Sequence, residues 1–100
     1  MKPKITEADV TRSIRQLLKQ IGVFHWKVHQ GLGCVPGVPD VIGVWKGRLL
    51  GIEVKRPGGK LSPAQVAFID RINAEGGLAF VAFSVDDVMR ELGIKDRFLI

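Results

Sequence analysis

The sequence predicts an α/β domain, a mixed central sheet flanked by helices in the order α-β-β-β-α-β-α. Three observations predict it. Val10, Ile14, Leu17, Leu18 and Ile21 recur at helical spacing. Several apolar or alternating runs of strand length follow, separated by Gly- and Pro-containing turns. Val54 and Val81 lie either side of a second helical segment, and a helical crossover favours parallel pairing of the strands it joins. The three strands before that crossover can form an antiparallel meander, and a mixed sheet covered by helices is the α/β result.

Each element has a local cause. Thr6 suits an N-cap, and Glu7 and Asp9 fall in the first turn, where carboxylates complement the helix dipole. Gly22 ends that helix. Val23 to His29 alternates, with Phe24, Trp26 and Val28 on one face and His25, Lys27 and His29 on the other, as in a half-buried strand. Gln30 to Pro39 holds Gly31, Gly33, Pro36 and Gly37 and reads as a loop. Val41 to Trp45 and Leu49 to Val54 read as strands joined by a turn at Lys46-Gly47. Arg56 to Leu61 is a basic, glycine-containing loop. Ser62 and Pro63 open a helix, with Gln65 completing a capping box, and Gly76-Gly77 ends it. Leu78 to Phe83 is an apolar strand, and Ser84 caps a short helix that runs to Gly93.

Composition bounds the function. The 100 residues suffice for one domain, spanning residues 1–100, with 46% hydrophobic and 25% charged residues, as in a globular chain. No apolar run approaches the roughly 20 residues of a membrane span, and the polar start Met-Lys-Pro-Lys lacks the apolar core of a signal peptide. Cys34 is the only cysteine and has no internal disulfide partner, which agrees with a reducing compartment. These points predict a cytoplasmic protein without a membrane partner. A net charge of +5 favours a polyanionic partner, because cations displace counterions condensed on phosphates.

The chemistry lies in the central hairpin. With Lys46-Gly47 as a two-residue turn, Trp45 faces Arg48, and counting back along both strands places Asp40 opposite Glu53. Opposed residues share a face, with Cβ atoms about 4.5–5.5 Å apart. Two carboxylates that close repel unless a positive charge lies between them, and a hard divalent cation meets that need. Lys55 lies two residues beyond Glu53 and so points to the same face. The register depends on the turn, since Lys at a position needing positive φ is unfavourable and a bulge at Gly47 shifts the pairing.

Pro39-Asp40, twelve residues, then Glu53-Val54-Lys55 resembles the PD-(D/E)xK nuclease pattern. The wider set, Gly37-Val38-Pro39-Asp40, Glu53-Val54-Lys55-Arg56-Pro57 and Leu61-Ser62-Pro63-Ala64-Gln65, resembles the VRR-NUC branch of that superfamily, over roughly residues 5 to 92. The resemblance implies a restriction-endonuclease-like core and a Mg2+- or Mn2+-dependent endonuclease that hydrolyses DNA to a 5′-phosphate and a 3′-hydroxyl. By position, Asp40, Glu53, the Val54 carbonyl and Glu7 become metal ligands. Lys55 orients the attacking water, and Gln65 joins Asp40, Glu53, Lys55 and Glu7 in the catalytic set. Small stand-alone members of the branch occur in phage and bacteria and are associated with branched DNA such as four-way junctions. They point to a homodimer in a bacterial or phage-infected cell.

The residues support part of this independently. Glu7 falls on the apolar stripe of the first helix, where a carboxylate is costly unless paired or near a metal; a first-turn dipole role is the competing reading. Gln65 shares the face of Ile69 and Ile72, although the capping box already explains it. Read singly, Asp40 could bond local backbone, and Glu53 and Lys55 could form a surface ion pair. Arg56 and Lys60 flank the site and are expected to contact phosphate, as are Lys27 and His29. His25 and His29, about 13 Å apart along a strand, cannot share an ion. Nothing orients Cys34 as a nucleophile. Arg12, Arg15 and Lys19 read as a solvated basic face. A dimer surface is sought in the apolar strand at Leu78 to Phe83 and the apolar end Arg97-Phe98-Leu99-Ile100. The alternative function is a non-catalytic DNA-binding module that retains the nuclease fold.

Overall fold

The computed structural model describes residues 4–29, 31 and 34–94. Its elements are α1 (Glu7–Gln20), β1 (His25–Lys27), β2 (Val41–Trp45), β3 (Arg48–Val54), α2 (Pro63–Ala74), β4 (Leu78–Ala82) and α3 (Val85–Leu92). The element order matches the sequence expectation. Among the described residues, no helix is long and apolar enough to cross a membrane. The apolar end at residues 97–100 lies outside the described residues.

The strands form one sheet in the order β1-β2-β3-β4, antiparallel through β3 and parallel between β3 and β4. The hairpin register is the expected one, running from Trp45↔Arg48 to Val41↔Ile52. Lys46 and Gly47 both take positive φ, 50° and 79°, so the turn is of the kind whose twist matches paired strands, with no bulge.

One sheet face carries Val41, Leu50, Ile52, Val54, Phe80 and Ala82 into the core. Val10, Ile14, Leu17 and Leu18 of α1 and Val88 and Leu92 of α3 pack against them. The other face takes α2, which lies over β3 and β4. Arg48 fixes the far end of α2 by donating from Nε and Nη2 to the Gly76 and Gly77 carbonyls at 2.9 and 2.7 Å. Asn73 brackets Ala79, donating to its carbonyl at 2.9 Å and accepting from its amide at 2.8 Å.

Two expectations are corrected. The first strand pairs only over His25–Lys27, and its apolar side is the open one, with Phe24 70% and Trp26 45% exposed. The reason is coverage: α2 packs over β3 and β4 rather than over β1. The strand Leu78–Ala82 is shielded where an open apolar surface was sought, with Ala79, Phe80 and Ala82 buried under α2 and α3.

Candidate active site

Asp40 stands immediately before β2. The backbone around it is fixed on two sides. The Val28 amide donates to the Asp40 carbonyl at 2.7 Å, carrying the β1 strand path past its last paired residue. On the other side the Val35–Val38 turn approaches α2 so closely that Gly37 has no room for a side chain. With φ at 83°, a Cβ on Gly37 would lie 2.3 Å from the Ala64 carbonyl oxygen. Pro39 is fully buried between these supports.

The Asp40 side chain reaches beyond its own loop. Its Oδ2 accepts from the Val54 amide at 2.9 Å, fourteen residues on. That bond ties Asp40 to the end of β3, where Glu53 and Lys55 project.

Glu53 is 3% exposed in the central strand β3, which removes the surface ion-pair reading. Its Oε1 accepts from Gln65 Nε2 at 3.0 Å and lies 3.9 Å from Lys55 Nζ. Its Oε2 is buried and has no hydrogen-bond partner among the described residues. Burial and the adjacent Asp40 carboxylate push the Glu53 carboxyl up to about 8, Lys55 only partly offsetting them. The group therefore sits where its anion is unfavourable even with the Lys55 ammonium 3.9 Å away.

Gln65 makes two sets of bonds at once. Its Oε1 accepts from the Ser62 amide at 2.8 Å while its backbone amide donates to Ser62 Oγ at 3.2 Å, closing the capping box. Its Nε2 is left to hold Glu53. The helix start thereby aims the amide donor at the strand.

Asp40, Glu53, Lys55 and Gln65 thus converge, and Val54 lies between them as the donor to Asp40. Glu7 differs from expectation. It is exposed on the first turn of α1, so it is not a buried carboxylate in want of a partner, although its charge still contributes to raising Glu53. Among the described residues no three of His, Cys, Asp and Glu form a ready metal cage. Two carboxylates and an orphaned oxygen suit magnesium, which commonly uses one or two protein carboxylates and keeps several waters.

Arg56 and Lys60 are exposed on the loop after β3, which turns sharply through the Gly59 amide donating to the Arg56 carbonyl at 2.9 Å. Lys27 and His29 are exposed on and just beyond β1, next to the Val28–Asp40 bond. His25 is occupied by the Val23 carbonyl, 2.9 Å from Nδ1, and the Cys34 thiol donates to the His29 carbonyl at 2.9 Å. The long-range bond from Asp40 to the Val54 amide was not readable in advance, and the hairpin register was its only sequence signal.

Comparison with known proteins bears on the family and the fold. The VRR-NUC domain family model matches residues 4–86. A solved structure described as "VRR_NUC domain protein" is similar at a TM-score of 0.68 and 26% identity, covering 95% of this chain and 96% of that one. No curated protein matches the chain.

Proposed function

Since the chain belongs to the VRR-NUC domain family, a nuclease-type domain, we propose that it is a divalent-metal-dependent endonuclease hydrolysing phosphodiester bonds in DNA, selective for branched forms such as four-way junctions. The observation that carries the metal reading is Glu53, whose buried Oε2 has no partner beside the Asp40 carboxylate. Ionising Glu53 beside Asp40 in this buried position is unfavourable, and a bound cation would offset it. A pure binding module gains nothing from it.

Asp40 and Glu53 would hold Mg2+ or Mn2+, with the Val54 carbonyl as a further oxygen and Glu7 acting on the bound waters. A cation there supplies Lewis acidity and lowers the pKa of water. The chain's own residues supply the positioning. Gln65 fixes the Glu53 carboxylate through Oε1 and leaves the buried Oε2 without a partner among the described residues. Lys55, 15% exposed and 3.9 Å from the same Oε1, is placed to orient an attacking water and to offset charge developing on the phosphate. Arg56 and Lys60 hold the flanking phosphates, which fix register without reading sequence. Cutting both strands of a duplex or junction needs two such sites, which a C2 homodimer provides.

The test is incubation of pure protein with linear, flap and four-way DNA, with Mg2+, Mn2+, Ca2+ or EDTA. Cleavage is expected with the first two ions only, with the junction cut fastest. Glu53→Gln and Lys55→Ala are expected to abolish cleavage while retaining most DNA binding, because phosphate contacts are distributed and the chemistry is not. Full activity in EDTA, or in either variant, would overturn the assignment.

A further inference from the structure

A second basic feature lies apart from Arg56 and Lys60. A groove of about 380 Å³ runs between the outer flank of α1 and the edge strand β1. Arg12, Arg15 and Lys19 line one wall and Lys27 the other, with no acidic residue among the lining side chains. Arg12 pairs with Asp9 at 3.2 Å on the surface. Arg15, Lys19 and Lys27 have no ion pair among the described residues. Arg15 Nε is buried and has no hydrogen-bond acceptor among the described residues, although a guanidinium donor removed from water ordinarily finds one.

Both walls start beside residues that act on the active site. The α1 wall starts at Ala8, next to Glu7, whose charge is felt at Glu53. The β1 wall is Lys27, paired with Val41 and followed by Val28, whose amide holds the Asp40 carbonyl. From Arg12 to Lys19 the helix rises roughly 10 Å at about 1.5 Å per residue, the axial span of about three nucleotides at roughly 3.4 Å each.

We propose that this groove holds the phosphates of about three nucleotides of DNA on one side of the scissile bond. The identity of the ligand rests on the nuclease reading above. The charge row, the unpaired cations and the orphaned Arg15 donor rest on the groove itself. Arg15 supplies the fixed contact, because its guanidinium lines the groove and no described group accepts from its Nε. Lys19 and Lys27 act as point charges on either wall.

The experiment is anisotropy of a fluorescent 24-base-pair duplex with Ca2+, titrated from 50 to 300 mM salt. The slope of log K against log salt falls by about 0.9 for each phosphate that is no longer neutralised. Arg15→Gln/Lys19→Gln is expected to make the slope shallower by about 1.8, and Lys27→Gln alone by about 0.9. Lys46→Asn, at the hairpin tip far from the groove, is expected to leave it unchanged. Thermal melts identify variants that remain folded, and Lys27→Gln sits at an exposed strand position that needs no repacking. Cleavage of a four-way junction by the unaltered protein in Mg2+ is followed in parallel. Its failure would remove the nuclease reading and leave the slopes to decide the groove. Slopes unchanged in both groove variants, with cleavage intact, would overturn the groove alone.

Discussion

Among single residues, Glu53 makes the metal-free protein sensitive to pH. Its folded value near 8 lies above the ordinary 4.5, because burial and Asp40 both disfavour the anion. Between those two values the folded protein keeps a proton that the unfolded chain has released. Unfolding free energy therefore falls as pH rises from about 4.5, and the loss is complete above about 8. Denaturant unfolding in EDTA at pH 5 and pH 8.5 is expected to show a loss of a few kcal/mol, and Glu53→Gln to flatten it. An equally steep dependence in that variant would place its origin elsewhere. Gln65 gives a second prediction of this kind. Gln65→Glu keeps an acceptor for the Ser62 amide but loses the donor to Glu53 Oε1 and adds a carboxylate. The helix cap is expected to survive, with little change in melting temperature, while single-turnover cleavage falls about 10- to 100-fold, as when a ligand loses its supporting bond.

Among the elements, the β2–β3 hairpin carries the site, because its register decides which residues meet. Lys46 holds φ at 50°, a left-handed conformation that costs a residue with a long side chain about 1–2 kcal/mol and Asn less. Lys46→Asn creates the favoured Asn-Gly turn and is expected to stabilise the protein by about 0.5–1 kcal/mol without moving the register. Equilibrium denaturation reads this directly, and a loss of stability would mean that the Lys46 ammonium, 5.2 Å from the Trp45 ring centre, matters more than the turn. The helix α2 is anchored at both ends, by Arg48 and Asn73 at one and by the Ser62–Gln65 box at the other. This fixes the Gln65 amide against β3.

Across the molecule, the two sheet faces are unequally covered. The α1/α3 side closes a core, while α2 leaves Phe24, Trp26, Val44 and Leu49 at 70, 45, 44 and 47% exposed on the opposite side. Phe24 and Trp26 lie 5.5 Å apart, a tilted aromatic pair facing solvent. A contiguous apolar surface of this kind usually marks an interaction site. It is the surface that best suits the proposed homodimer, in place of the shielded strand Leu78–Ala82. Light scattering coupled to size exclusion is expected to give twice the 11.0 kDa of one chain, and Trp26→Lys to return the single mass and to nick junctions without resolving them. A mass of 11.0 kDa that DNA does not change would remove the dimer.

The order of elements, the hairpin register and the meeting of Asp40 with Glu53 and Lys55 were all legible along the chain. Each of these follows from local rules: helical or twofold periodicity, caps at Thr6, Ser62 and Ser84, and a two-residue turn that counts residues into opposition. Other features depend on how the elements pack. Glu7 lies on the apolar stripe yet is exposed, because it is the first residue of α1 and the core begins three residues later, at Val10. Periodicity shows that Phe24 and Trp26 share a face, but the position of α2 determines that they stay open to solvent. The Asp40–Val54 bond and the groove between α1 and β1 join residues distant in sequence through side chains, and such contacts leave no repeating pattern along the chain.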